Sequence, residues 1–324
     1  LTVELRADRP ELLALRAAGG RYPLAHAAPR LKLRHRASGQ LLAEGEPPVS
    51  VACACAERAA DRALYRLAAS VDGEPAGSCA IALTVAGETL RVEVFDVAER
   101  NGYELLAVEY PSLVEMGSGY LVSFFGAGRL IPIEEATPLF FVKRYDTRNA
   151  AALYDDKALL LVESGHMDSL LITGVAQVNG QKRGLIGGAI ALRVPAQKPG
   201  LASIPVSNPP SFTVEAPALR GETPNWRLAA RLMRRGLAPG PRAAQYRGAY
   251  VYKQLATYGP MPGEAYRRDG HPATQNLFRT LRFDQIAENV RALSNLMDGM
   301  RQVIYIAGWQ EGGFDSAFPE PYGA

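Results

Sequence analysis

No run of 18 apolar residues occurs in this chain of 324 residues, so no membrane-crossing helix is predicted. Cysteine is nearly absent: Cys53, Cys55 and Cys79 are the only three, and an odd count closes no complete disulfide framework. That leaves the redox compartment undetermined. The run VACACA spaces two of them as CxC, without the second Cys pair or His pair that a zinc site needs. It places Cys53 and Cys55 on one face of a strand, as small apolar residues of a sheet. Histidine is as sparse, and no two of His26, His35, His166 and His271 have ligand spacing, so neither a metal nor another cofactor is expected. Charge of one sign is not in excess: 36 Lys and Arg against 33 Asp and Glu leave a formal +3. The arginines are dispersed and not interleaved with aromatics, which disfavours nucleic-acid binding. There is no Gly-rich phosphate loop after a strand and no GxSxG elbow. The opening LTVELRADRP has no secretory-signal pattern. From its first residue and abrupt end the chain is expected to be a fragment.

What is present reads as two grammars. Up to about residue 215, short alternating runs recur between turn signals: 31–35, 51–55, 90–94, 119–125, 139–143, 158–162, 170–176 and 186–193. Asp72-Gly73, Asn101-Gly102 and Asn179-Gly180 are dipeptides that tolerate positive φ and join hairpins. Many strands without intervening long helices predict an antiparallel sandwich of more than seven strands. Residues 9–18 read as a short helix. Residues 55–70 have helical composition but also fit a strand pair. The proline-rich stretch from 195 reads as a connection, and Asn225-Trp226 opens a short helix in a linker over 216–247.

From 248 the pattern becomes α/β. Residues 249–255 read as a strand, 283–298 as an amphipathic helix ending at Gly299, and 302–307 as a second strand, which together predict a right-handed βαβ unit. The connection over 256–279 and the segment after Gly308 would share the C-terminal edge of the strands, where α/β folds gather function. A closed (β/α)8 barrel needs roughly 250 residues, far more than follow position 248.

The segment YIAGWQ with Gly313-Phe314-Asp315-Ser316 and a following proline, the Tyr-Lys strand at 252–253 and the helix ending in Asp298-Gly299 resemble the endo-α-N-acetylgalactosaminidase family of glycoside hydrolases (family 101). The resemblance is strongest over 250–319 and implies a galactose-mutarotase-like β-supersandwich over 1–215, followed by the first βαβ unit of a truncated (β/α)8 barrel over 248–324. It implies a glycan or glycoprotein substrate and a secreted or cell-surface location. In this family two carboxylates on later barrel strands act as nucleophile and acid/base, so both are expected beyond Ala324, and the chain alone is expected to hydrolyse nothing. Asp315 would accept hydrogen bonds from sugar hydroxyls. Trp309 either stacks on a sugar or fills the barrel mouth, and Gln310 and Lys253 are further candidate contacts. Phe314 stands where the family has histidine, and a phenylalanine can stack on a sugar but donates no hydrogen bond. Glu311 and Asp315 share one loop and do not make a pair flanking a glycosidic bond. A noncatalytic carbohydrate-binding protein of the same architecture, or a purely structural sandwich, are the alternatives.

Overall fold

The structure, a computed structural model, describes residues 1–17, 20–25, 28–123, 129–143, 150–165, 169–194, 203–206, 209–233, 235, 246–255, 257–258, 278–279 and 281–307. The chain divides into two compact units, Leu1–Arg235 and Gly236–Ala324.

The first unit is built from antiparallel sheets. One has nine strands, in the spatial order Arg129–Pro132, Tyr120–Ser123, Ala150–Tyr154, Leu159–Ser164, Ser211–Glu215, Thr89–Glu99, Glu74–Ala86, Arg62–Val71 and Val49–Arg58. A second has six: Leu139–Lys143, Leu170–Val178, Gln181–Ala191, Tyr103–Met116, Arg30–His35 and Leu41–Ala43. A three-stranded sheet, Thr2–Leu5, Leu12–Ala17 and Gly20–Pro23, completes it. One apolar cluster draws on all three, with Tyr65, Tyr110, Phe212, Leu15, Leu33 and Leu90 fully buried. Burial of each such side chain contributes about 1.5–3 kcal/mol. The arrangement is a sandwich of mostly antiparallel sheets, as the alternation predicts.

Period two decides the segments whose composition is helical. In Arg62–Val71 the residues Ala63, Tyr65, Leu67, Ala69 and Val71 are buried and Arg62, Arg66 and Ala68 are exposed. A helix would scatter those five around its axis, so the segment pairs as a strand with Val49–Arg58. The short helix expected over 9–18 is corrected on the same ground. Leu12–Ala17 is a strand that turns Leu12, Ala14 and Leu15 inward and is paired on both sides. Tertiary pairing overrides local propensity there. Two tyrosines secure its approach: Tyr65 donates to the Arg6 carbonyl at 2.9 Å and Tyr110 to that of Pro10 at 3.2 Å. The three hairpin dipeptides adopt the positive φ expected of them, as in Asn101 (50°) and Gly102 (77°).

The proline-rich stretch holds more than a connection. Arg193–Val194 pairs with Ile204–Pro205, and Ser211–Glu215 inserts between Leu159–Ser164 and Thr89–Glu99. The helix Trp226–Met233 is capped by Asn225 Oδ1, which accepts from the amides of Arg227 (2.9 Å) and Leu228 (3.0 Å). It buries Leu228, Ala229 and Met233 against Val122, Ala152, Tyr154 and Leu161, covering the outer face of the larger sheet there.

A charged network joins strands of both sheets to this return segment. Arg193 grips Glu99 with Nε and Nη2, both at 2.7 Å, and its Nη1 reaches the Ser203 carbonyl at 2.6 Å and Glu104 at 3.4 Å. Arg34 holds Glu104 from the other side at 2.5 Å, and Arg36 adds a 2.8 Å bond to Glu99. Burial pushes the Glu99 carboxyl up, but Arg193, the Leu105 amide and Arg36 outweigh it and hold it below its usual range. Burial of Glu104 is likewise outweighed, by Arg34 and Arg193. All three cysteines are free thiols: Cys55 is exposed, Cys53 half-buried and Cys79 buried. Burial pushes the Cys79 thiol up to about 12.

Candidate functional site

In the second unit the strands Tyr250–Leu255 and Gln302–Ala307 pair in parallel, in register from Tyr250 with Gln302 to Leu255 with Ala307. The helix Phe283–Leu296 runs between them in sequence. Its first turn is held by Gln285 Oε1, which accepts from the Arg282 amide at 2.9 Å, and by Asp284, which is clasped by the Arg282 guanidinium at 2.9 and 3.0 Å. Asp298 (φ 50°) and Gly299 (φ 73°) turn the chain out of the helix toward the second strand. This is the strand–helix–strand order read from the sequence.

The face of the strands that meets the helix carries polar groups joined by hydrogen bonds beside Ile304 and Ile306. Tyr252 Oη donates to Gln302 Oε1 at 2.7 Å, and Gln302 Nε2 donates to the Val290 carbonyl at 3.1 Å. Asn289 Nδ2 reaches Gln254 Oε1 at 3.4 Å. Alternation assigns Val251, Lys253, Val303 and Tyr305 to the other face. There Val251, Lys253 and Tyr305 are exposed, and Lys253 and Tyr305 are register partners. The Tyr305 hydroxyl lies 3.5 Å from that of Tyr246, a contact that raises its pKa. Beyond Leu255, Thr257 pairs with Arg279 and Tyr258 with Phe278, which brings both ends of the long βα connection together at the C-terminal edge. A groove of about 660 Å³ runs between strand edge and helix, lined by Lys253, Gln254, Asn289, Leu293 and Leu296.

Of the four residues the sequence singles out, Lys253 is thus placed on a strand, at its exposed face and beside this groove. Trp309, Gln310 and Asp315 lie outside the described residues. Asp155, read from the sequence as part of a turn, accepts from the amides of Lys157 and Ala158, both at 2.8 Å, between two strands. Among the described residues no group of three or more His, Cys, Asp or Glu is placed to hold a metal ion. No helix among them is long and apolar enough to cross a membrane.

The fold is one that solved structures share. The solved structures it resembles include two complexes of the α-N-acetylgalactosaminidase NagBb from Bifidobacterium bifidum. The GalNAc complex aligns with a TM-score of 0.59 at 12% identity, over 98% of this chain and 52% of that one. The Gal-NHAc-DNJ complex aligns with a TM-score of 0.57 at 13% identity, over 98% and 51%. The chain therefore spans about half the length of the structures it matches, and at this identity the likeness shows the fold alone. It does not single out family 101. No family model and no curated protein matches the chain.

Proposed function

We propose that this chain is the sandwich and opening barrel unit of a retaining glycoside hydrolase acting on α-linked N-acetylgalactosamine or a related glycan. The observation that carries the reading is the fold: the likeness to an α-N-acetylgalactosaminidase runs through 98% of the chain, across both units. The parallel strand pair supports it, since an α/β barrel begins with such a unit and presents its chemistry at the C-terminal edge. In this reading Asp315 accepts hydrogen bonds from the sugar, Trp309 and Gln310 line the same subsite, and Lys253 contributes a cationic donor from the first strand. We assign no catalytic carboxylate among Leu1–Ala324, and we place the protein at the cell surface or outside the cell.

The test is hydrolysis of an aryl α-N-acetylgalactosaminide by the protein in its longest natural form, with and without Asp315→Ala. The substitution should lower kcat/KM at least tenfold, equivalent to about 1.4 kcal/mol. Unchanged kinetics would remove Asp315 from the subsite. Absence of hydrolysis, with retained glycan binding, would favour the noncatalytic carbohydrate-binding alternative.

A further inference from the structure

The sandwich unit carries a concavity of its own, of about 550 Å³, between the strand Thr89–Glu99 and the return segment. Its wall is broken by a β-bulge. Ser78 pairs with Ala98 and Ala80 with Phe95, so Asp96 and Val97 together oppose the single residue Cys79. Asp96 adopts a φ of 52°, a left-handed conformation that glycine takes freely and a β-carbon resists. Strain of this kind persists where the surroundings enforce it and gathers at binding sites. The bulge turns two side chains outward at the cavity: Val97 is 41% exposed, and Asp96 is exposed beside it. Among the described residues the cation paired with Asp96 is Arg66, with Nη1 3.8 Å from Oδ2, too far for a hydrogen bond.

The other polar groups of the cavity are fixed in advance. Arg36 is held by Glu99 at 2.8 Å and by Glu104 at 3.4 Å, two partners for a guanidinium with five N–H donors. Phe95, Val97, Leu192 and the prolines of the return segment supply an apolar wall. The chemistry narrows the ligand. Asp96 and Glu99 oppose an anion, and Arg36 opposes a cation. A neutral ring bearing several hydroxyls satisfies both signs, donating to Asp96, accepting from Arg36 and laying its C–H face on the apolar wall. We propose that this cavity is a second carbohydrate-binding site, separate from the strand-edge site, and that Asp96 is its principal acceptor. The proposal rests on the glycan reading above only for the choice of probe.

Methyl α-N-acetylgalactosaminide and lactose, titrated into the protein to about 10 mM and followed by NMR, are the probes. Asp96→Gly removes the acceptor and relieves the strained φ, so it should weaken binding at least tenfold while the melting temperature holds or rises. Val97→Arg fills the cavity mouth from an exposed position and should abolish binding at this cavity, read from the resonances of its lining residues, in a folded protein. Equal binding by wild type and both variants, or no binding of either probe, overturns the proposal. Aryl α-N-acetylgalactosaminide hydrolysis by the protein in its longest natural form, read in parallel, reports on the strand-edge site alone. Its absence beside Asp96-dependent binding would count against the proposed hydrolase and leave this site standing.

Discussion

Replacing Arg193 with methionine should cost the sandwich unit about 3 kcal/mol at pH 7, and much less in acid. The Arg193 side chain is 8% exposed, Glu99 16% and Glu104 5%. Removing one partner of a buried ion pair costs about 3–5 kcal/mol, because a charge is left behind in a poor solvent. Here Glu99 keeps Arg36 and the Leu105 amide, and Glu104 keeps Arg34, so the lower end applies. For a unit of this size each kcal/mol moves the midpoint roughly 2–4 °C, and about 6–12 °C is expected. The pH dependence has a definite sign. Both carboxyls titrate below their usual range when folded, so near pH 4.5 the folded protein binds fewer protons than the unfolded chain. Their contribution is fully present above that pH and is lost as pH falls through the folded values. The variant lacks the cation chiefly responsible for the lowering at Glu99, so its deficit narrows progressively below pH 4.5. Urea unfolding of both proteins at pH 7 and at about pH 3 measures the difference. A deficit under about 1 kcal/mol at pH 7, or an equal deficit at both pH values, would refute the account of the network.

Two further outcomes are expected. A methyl group at Gly188 would stand 2.4 Å from the Leu170 carbonyl and 2.4 Å from Phe212 Cζ, so Gly188→Ala should destabilise by at least about 2 kcal/mol in chemical denaturation. Gly117→Ala, whose added carbon meets nothing within 4 Å, should stay within about 0.5 kcal/mol. A thiol reagent at pH 8 should label Cys55 first in the folded protein and reach Cys79 only on unfolding, since Cys79 is 3% exposed and its thiol sits at about 12. Mass-spectrometric mapping that finds both labelled at one rate would contradict that burial.

The sandwich was legible where local rules and tertiary pairing agree. Asn101-Gly102 and Asn179-Gly180 mark hairpins because few other pairs accept two positive φ angles, and Arg62–Val71 announces its inward face by alternation. Leu12–Ala17 was hidden, because Leu, Ala and Arg favour helices and only its neighbours on both sides make it a strand. Ser211–Glu215 was hidden by the prolines before it. Of the strand-edge site, Lys253 could be placed by strand periodicity. The residues after Gly308 rest on resemblance, since no periodic pattern fixes their geometry. The sandwich cavity left no sequence signal. Its lining comes from Arg36, from 94–97 and Glu99, from Leu192, and from Pro205, Val206, Pro209 and Pro210, residues that only the fold brings together. The bulge at Asp96 is equally silent, for an aspartate inside a strand pattern does not advertise a left-handed backbone.

The position of Ser211–Glu215 constrains how this polypeptide comes off the ribosome. It is the keystone between two blocks of the larger sheet, one of the four strands from Val49–Arg58 to Thr89–Glu99 and the other of Tyr120–Ser123, Arg129–Pro132, Ala150–Tyr154 and Leu159–Ser164. Leu90 must wait for Val214, and Val162 on the other side waits for the same residue. Until that late segment emerges, each block shows a raw hydrogen-bonding rim to its surroundings, a hazard that closes only when the final piece is synthesised.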